Sequence, residues 1–147
     1  MSIYRTDIAS ARAPGDVFDY LARFSNASGW DPSVVSAEEL AAGAPRVGST
    51  YRLHVAVLGR RLPLDYRITE LDRPGRVVLR AENPLVVSTD VITVRPGQEG
   101  GSVVSYEAIL RAKGPGRLLS PFLATVLRRL GDRAAAGLAR ALGGPEA

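Results

Sequence analysis

Apolar and polar residues alternate with a period of two along most of the chain, as expected for strands that are buried on one face. Short segments rich in Gly, Pro, Asn and Asp separate the alternating runs and indicate tight turns between neighbouring strands. The pattern predicts a first strand at 1–11 and six more at 34–40, 49–58, 62–71, 76–82, 86–95 and 102–111. This order is typical of an antiparallel meander.

Between the first two strands the apolar residues change to a helical spacing. Pro14 suits the first position of a helix, and Asp16 places a carboxylate in its first turn. The apolar face of this helix comprises Val17, Phe18, Leu21 and Phe24. Ser25-Asn26 ends it, and 27–32, with the only tryptophan, forms a turn or a second short helix.

A long helix is predicted after Gly114-Pro115-Gly116, reaching to about Leu142. It has about 28 residues, or roughly 42 Å at 1.5 Å per residue, and Gly143-Gly144-Pro145 stops it. Its apolar stripe comprises Leu119, Phe122, Leu123, Val126, Leu127, Leu130, Ala134, Leu138 and Ala141.

The strand registers follow from the turns. A two-residue turn at Gly59-Arg60, with Gly first, predicts a type II′ hairpin. Its inward pairs are Val57–Leu62, Val55–Leu64, Leu53–Tyr66 and Tyr51–Ile68. Its outward pairs are Ala56–Pro63, His54–Asp65 and Arg52–Arg67.

The remaining strands are assigned in the same way. A loop at 72–75 places Ile68 opposite Leu79 in the next hairpin. The inward face of the last strand comprises Val104, Tyr106, Ala108 and Leu110. Strand 86–95 is ambiguous, because apolar residues occur on both of its faces; we favour the even-numbered residues as the inward set.

Composition excludes several kinds of site. The absence of cysteine excludes disulfides, a thiol nucleophile and thiolate metal ligands, and the single histidine, His54, excludes a multi-histidine zinc site. Nucleophile-elbow, phosphate-loop and dinucleotide-binding motifs are also missing. We therefore expect neither a metal nor a cofactor.

Length and charge limit the domain number and the classes of partner that the sequence predicts. The 147 residues suit one domain, 1–147, and without a membrane-length apolar run or a signal peptide the chain is expected to be cytoplasmic. Nineteen Lys and Arg against 15 Asp and Glu give a net charge of +4. Only Arg60-Arg61 and Arg128-Arg129 are adjacent, so no basic run suggests nucleic acid as a partner. Either a monomer or a homodimer fits the sequence.

The apolar sheet face needs a cover, and only the last helix is long enough to provide it. The sequence therefore predicts an α+β fold in which a curved antiparallel sheet of about seven strands wraps around the C-terminal helix. In this order of elements the chain resembles the START-like, Bet v 1-like (SRPBCC) superfamily, in its polyketide cyclase/dehydrase and coenzyme-Q-binding-like branch. The segments that carry the resemblance are APGDVFDYL at 13–21, WDP at 30–32, VGST at 47–50, ITELDRP at 68–74 and GGSVV at 100–104.

The resemblance implies a helix-grip fold with an elongated cavity between sheet and helix, open near the second short helix. With the registers above, the expected ligand-binding residues are Trp30, Tyr51, Leu53, Val55, Leu64, Tyr66, Leu79, Tyr106, Phe122 and Val126. Such a cavity suits an apolar ligand that a few polar groups orient. The alternative is that these side chains fill a dry core. Trp30 either gates the entrance or staples the short helices to the sheet.

Candidate catalytic residues are few. Tyr66 and Tyr106 can hold a ligand carbonyl or donate a proton, or can be core tyrosines bonded to backbone or water. Asp90 faces inward if the even face of its strand is the inner one, and beside tyrosines its pKa would be raised. We favour instead that a bulge or strand end leaves Asp90 solvated. The predicted His54–Asp65 pair lies on the outer face and is interpreted as a surface pair.

Three functions remain open. A binding module for a hydrophobic small molecule, such as a lipid, isoprenoid or polyketide, needs only the cavity. A polyketide cyclase, aromatase or dehydratase also needs inward proton-moving groups, and the chain offers tyrosines but no convincing base. An accessory protein for a partner such as the ribosome would use the arginine-bearing outer face.

Overall fold

The computed structural model of the protein describes residues 1–143, and its elements follow the predicted order. The seven strands are β1 Ser2–Ser10, β2 Val34–Glu39, β3 Thr50–Val57, β4 Arg60–Asp72, β5 Arg76–Glu82, β6 Val86–Pro96 and β7 Ser102–Ala112. The helices are α1 Pro14–Ala22, α2 Ala27–Trp30 and α3 Ser120–Ala141, with 3₁₀ turns at Phe24–Asn26, Gln98–Gly100 and Gly114–Leu119. The strands form one antiparallel sheet in the order β1-β7-β6-β5-β4-β3-β2.

The sheet curves around α3, which confirms the helix-grip fold. Helix α3 is shorter than predicted, because Gly114–Leu119 forms a 3₁₀ turn and the α-helix begins at Ser120. Its residues are buried only from Leu127 onward, whereas Phe122 in its first turn is 64% exposed. The first part of the predicted apolar stripe therefore does not pack into the core.

The β3–β4 hairpin turns one residue earlier than predicted. Leu58 and Gly59 form the two-residue turn with φ values of 50° and 78°, the left-handed conformation that a type I′ turn requires at both positions. Tyr51 consequently lies opposite Tyr66, and Val57 opposite Arg60. This register differs by two residues from the predicted one, so the predicted pairs are wrong while each side chain stays on its predicted face.

The new register also changes the outer face of this hairpin. Arg52 lies opposite Asp65, with Nε and Nη2 donating to the two carboxylate oxygens at 2.8 and 2.9 Å. His54 lies opposite Pro63, and its Nδ1 is 3.1 Å from Ser36 Oγ. The predicted His54–Asp65 and Arg52–Arg67 pairs are therefore wrong.

The remaining strands agree more closely with the sequence. Ile68 lies opposite Leu79 as predicted, although the loop has three residues and a register shift follows near Thr69. The even-numbered residues of β6 face inward, as favoured, and this face buries Asp90 at 4% exposure. The expectation that Asp90 is solvated is wrong, since β6 continues in regular register past it between β5 and β7.

Two glycines let α3 approach its neighbours closely. The Gly131 backbone lies against the ring of Tyr4, and Gly137 lies against the Trp30 carbonyl oxygen. Trp30 is 3% exposed, and its ring makes edge contacts with Phe24 and Tyr106, at centroid distances of 6.4 and 5.7 Å. This tryptophan therefore staples α2 to the sheet and to α3.

None of the helices within residues 1–143 combines the length and apolar character that crossing a membrane requires.

Candidate functional site

A cavity of about 270 Å³ lies between the sheet and α3. Aliphatic side chains of β3, β4, β7 and α3 form most of its wall. Its volume is close to the lower end of the range for small-molecule sites, roughly 300–1,000 Å³. The polar residues in the wall are Asp31, Ser33, Tyr66, Asn83, Ser88, Asp90 and Tyr106.

The structure brings most of the expected ligand-binding residues into this wall. Those that line it are Leu53, Val55, Leu64, Tyr66, Tyr106, Phe122 and Val126. Trp30, Tyr51 and Leu79 are buried beside it but do not line it. They face inward as predicted, yet they pack into the solid part of the core, so the structure does not place them at the cavity surface.

The ligand-binding residues expected from the sequence did not include Asp31, Ser33 or Ser88, which also line the cavity. The even-numbered face favoured for β6 already indicated Ser88 as an inward residue. Asp31 and Ser33 follow α2 in a segment without periodicity, so no pattern marked them. Together with Tyr66, Asp90 and Tyr106 they form what we call the polar cluster.

Hydrogen bonds join the members of the polar cluster in pairs. Tyr106 Oη donates to Asp90 Oδ2 at 2.5 Å. Tyr66 Oη and Ser88 Oγ are 2.7 Å apart, and the Ser33 backbone N–H donates to Asp31 Oδ1 at 2.9 Å. The Ser33 hydroxyl is buried without a protein partner within residues 1–143. The cluster therefore has hydrogen-bonding capacity left for a ligand.

Burial sets the charge state of the cluster. It raises the pKa of Asp90 to about 7, an effect that the Tyr106 hydrogen bond opposes and the charge of Asp31 reinforces. Burial likewise raises the pKa of Asp31 to about 6, against the lowering effect of the Ser33 N–H. The pKa values of Tyr66 and Tyr106 are raised well above 10, chiefly by burial, so both phenols stay neutral.

No lysine or arginine among residues 1–143 lines the cavity. The two carboxyl groups therefore face an apolar space without a cation. Near neutral pH each is available in both protonation states, and together they can donate or accept a hydrogen bond or move a proton.

Exposed side chains mark the mouth of the cavity. They lie at the β3–β4 turn, next to the β5–β6 turn and at the start of α3. These residues, which we call the rim, are Leu58, Leu62, Leu85, Leu119 and Phe122. The residues that the segment around α2 contributes to the wall, such as Phe24 and Ala27, are instead buried. The expectation that the cavity opens near the second short helix is therefore wrong.

Solved structures share this architecture. A START superfamily protein from Mycobacterium smegmatis is 13% identical over 97% of this chain and 98% of its own, with a TM-score of 0.78. The Zhui aromatase/cyclase from Streptomyces sp. R1128 is 18% identical over 96% and 93%, with a TM-score of 0.73. The ginseng major latex-like protein 151 from Panax ginseng is 19% identical over 88% and 93%, with a TM-score of 0.57. At these identities the likeness shows the fold alone.

Comparison with curated proteins gives no significant match. The family model described as "Polyketide cyclase / dehydrase and lipid transport" matches residues 1–143. With the helix-grip fold and its cavity already in place, this match identifies the chain as a member of the polyketide cyclase / dehydrase and lipid transport family.

Proposed function

We propose that the protein binds a hydrophobic small molecule of the lipid, isoprenoid or polyketide type in the cavity between the sheet and α3. The observation that carries the proposal is a cavity of about 270 Å³ with aliphatic walls and hydrogen-bonding groups gathered in the polar cluster. This arrangement suits a ligand with an apolar body and one polar end.

The wall and the cluster would contribute in different ways. Each ligand methylene that leaves water for the aliphatic wall contributes about 0.8 kcal/mol. A hydrogen bond to the cluster contributes only about 1 kcal/mol, but a ligand without the matching group leaves buried polar atoms unpaired. Affinity would therefore come from the wall, and orientation from groups such as the Ser33 hydroxyl.

The direct experiment is mass spectrometry of the purified protein, first under native conditions and then after gentle denaturation. We expect an apolar molecule that is bound in the first spectrum and released in the second. A neutral dye that fluoresces in apolar surroundings, N-phenyl-1-naphthylamine, serves as a probe when the protein is purified without its ligand.

A matched pair of variants tests where binding occurs. Ala108 lines the cavity on β7, whereas Ala56 lies on β3 outside the cavity wall. Ala108→Phe fills the cavity and should abolish dye binding, and Ala56→Phe should leave it unchanged. The proposal is contradicted if the two variants bind the dye equally well. It is also contradicted if the unmodified protein neither binds the dye nor co-purifies with a small molecule.

One observation favours a second candidate, a cyclase, aromatase or dehydratase that acts on a poly-β-ketone chain in the same cavity. The Asp90–Tyr106 pair places a carboxyl with a pKa of about 7 against a phenol in the cavity wall. A group with such a pKa suits general acid or base catalysis near neutral pH.

The test of this candidate is turnover of a poly-β-ketone thioester by Asp90→Asn and Tyr106→Phe. Both variants should lower kcat, since proton transfer typically contributes about 10²–10⁴-fold to the rate. A kcat that both variants leave unchanged removes the pair from catalysis, even if the cavity still binds the substrate.

A further inference from the structure

The rim is apolar and unusually exposed. Leu58 is 82% exposed and Phe122 64% exposed, and Leu118, next to the rim on the 3₁₀ turn before α3, is 83% exposed. Leu58 and Phe122 come from separate parts of the chain, yet both line the cavity where it opens. Exposed apolar residues that gather in one place mark a surface that contacts something other than water.

Leu58 occupies its position against the preference of its own turn. A type I′ turn favours Asn or Asp followed by Gly, because both central residues need a positive φ. Leu58 has a φ of 50° and no core contact that would compensate, since its side chain faces solvent. A large apolar residue kept where Asn fits better points to a role outside the fold itself.

The charge around the rim has one sign. The segments that carry the rim, 53–64, 83–89 and 108–131, contain no Asp or Glu. Next to the exposed leucines lie Arg60, Arg61 and Arg117, all exposed and without a carboxylate partner among residues 1–143. Lys113 is different, because it pairs with Glu82. The mouth therefore combines apolar side chains with uncompensated cations.

We propose that this end of the molecule docks on an anionic lipid bilayer, with Leu58, Leu118 and Phe122 inserted between the lipids. Arg60, Arg61 and Arg117 then lie at the level of the lipid phosphates. Apolar side chains inserted among headgroups, with arginines beside them, are the two elements that hold a peripheral protein on an anionic surface. In this orientation the cavity opens toward the bilayer.

An acidic protein partner would use the same cations but gives no reason for three separated, protruding apolar side chains. A bilayer accepts such side chains individually, without a complementary socket for each. The apolar rim therefore favours a lipid surface over an acidic protein.

The experiment is flotation of the full chain with unilamellar vesicles of phosphatidylcholine alone or with 30% phosphatidylglycerol. We expect binding to the anionic vesicles, weaker binding as salt rises, and little binding to phosphatidylcholine alone. The triple variant Arg60→Gln, Arg61→Gln, Arg117→Gln should lower the vesicle affinity about 100-fold.

A matched triple variant controls for net charge. Arg5→Gln, Arg12→Gln, Arg46→Gln also removes three exposed arginines, but none of them lies next to the rim. It should retain most of the affinity. Equal losses in the two triple variants mean that overall charge alone attracts the protein and overturn the proposal.

The apolar part is tested without changing charge. Leu58→Asn with Leu118→Ser should lower affinity at least about tenfold, whereas Val47→Ser, which is 59% exposed on the β2–β3 loop, should not. Circular dichroism verifies that each variant is folded. Absence of binding to anionic vesicles at low salt overturns the proposal. The alternative hypothesis would then be that the same face binds an acidic protein. Cavity binding of the dye is measured separately, so the two proposals can fail independently.

Discussion

Replacing Gly137 with alanine is predicted to destabilise the protein, although the same exchange ordinarily stabilises a helix. A Cβ atom on Gly137 would lie 1.8 Å from the Trp30 carbonyl oxygen and 3.0 Å from Pro32 Cδ. A carbon and a carbonyl oxygen approach to about 3.3 Å, so the two segments must separate by about 1.5 Å. The obstacle is backbone, which no change of rotamer can relieve.

The expected change in the free energy of unfolding is the difference between two opposing effects. Alanine in place of an interior helical glycine stabilises by about 1 kcal/mol. Overpacking a well-packed contact costs about 1–3 kcal/mol, and a clash with backbone belongs at the upper end of that range. We therefore expect Gly137→Ala to lower the free energy of unfolding by about 2 kcal/mol, or the Tm by about 6 °C.

Thermal unfolding followed by circular dichroism measures this change, with two other glycine variants for comparison. Gly29→Ala meets only the Tyr20 hydroxyl at 3.5 Å, an ordinary contact, and should not lower the Tm. Gly131→Ala meets the Tyr4 ring at 2.5 Å, which a side-chain movement can relieve, and should fall between the other two. A Gly137→Ala protein as stable as the parent would refute the reasoning about this contact.

Two further predictions concern the site and the sheet. Asp90→Asn should change how stability depends on pH: the folded-state pKa of about 7 exceeds the usual value of 3.8, so the carboxyl destabilises the fold progressively from about pH 4 to pH 7. The free energy of unfolding of the variant, relative to that of the parent, should therefore rise over that range by a few kcal/mol. Urea unfolding of both proteins at pH 4.5 and pH 7.5 measures this. A difference between variant and parent that is the same at both pH values contradicts the prediction. Leu53→Asp buries a charge in a side chain that is 2% exposed and should cost about 4 kcal/mol. Arg52→Gln on the exposed face of the same strand should leave the Tm nearly unchanged, and similar Tm losses in both variants would mean that the assigned faces are incorrect.

The β3–β4 hairpin shows how far periodicity predicts structure. The sequence predicts a turn at Gly59-Arg60, because glycine in the first central position is typical of a type II′ hairpin. The chain instead turns at Leu58-Gly59, which shifts every pair by two residues. Since side chains alternate with a period of two, that shift leaves the inward and outward faces correct and changes only the partners.

Whether an inward side chain lines the cavity was harder to predict than the face of the strand on which it lies. Tyr51 and Leu79 face inward like Leu53 and Tyr66, but they pack into the solid part of the core. Alternation along a strand distinguishes two faces and carries no information on where a curved sheet leaves space. Phe122 shows the same limitation for a helix. Helical periodicity places it on the apolar face of α3 but does not indicate that it lies at the mouth of the cavity.

The two ends of the cavity have opposite electrostatic character, and this restricts the ligands that fit the proposed function. Asp31 and Asp90 face the buried end without a cation, so an ionised carboxylate placed there would meet like charges in an apolar space. Arg60 and Arg117 lie at the mouth, where an anionic group stays hydrated and near positive charge. An anionic amphiphile would therefore bind with its charged group at the rim and its apolar end inward. A ligand whose polar end reaches the polar cluster would instead carry an uncharged or cationic hydrogen-bonding group there.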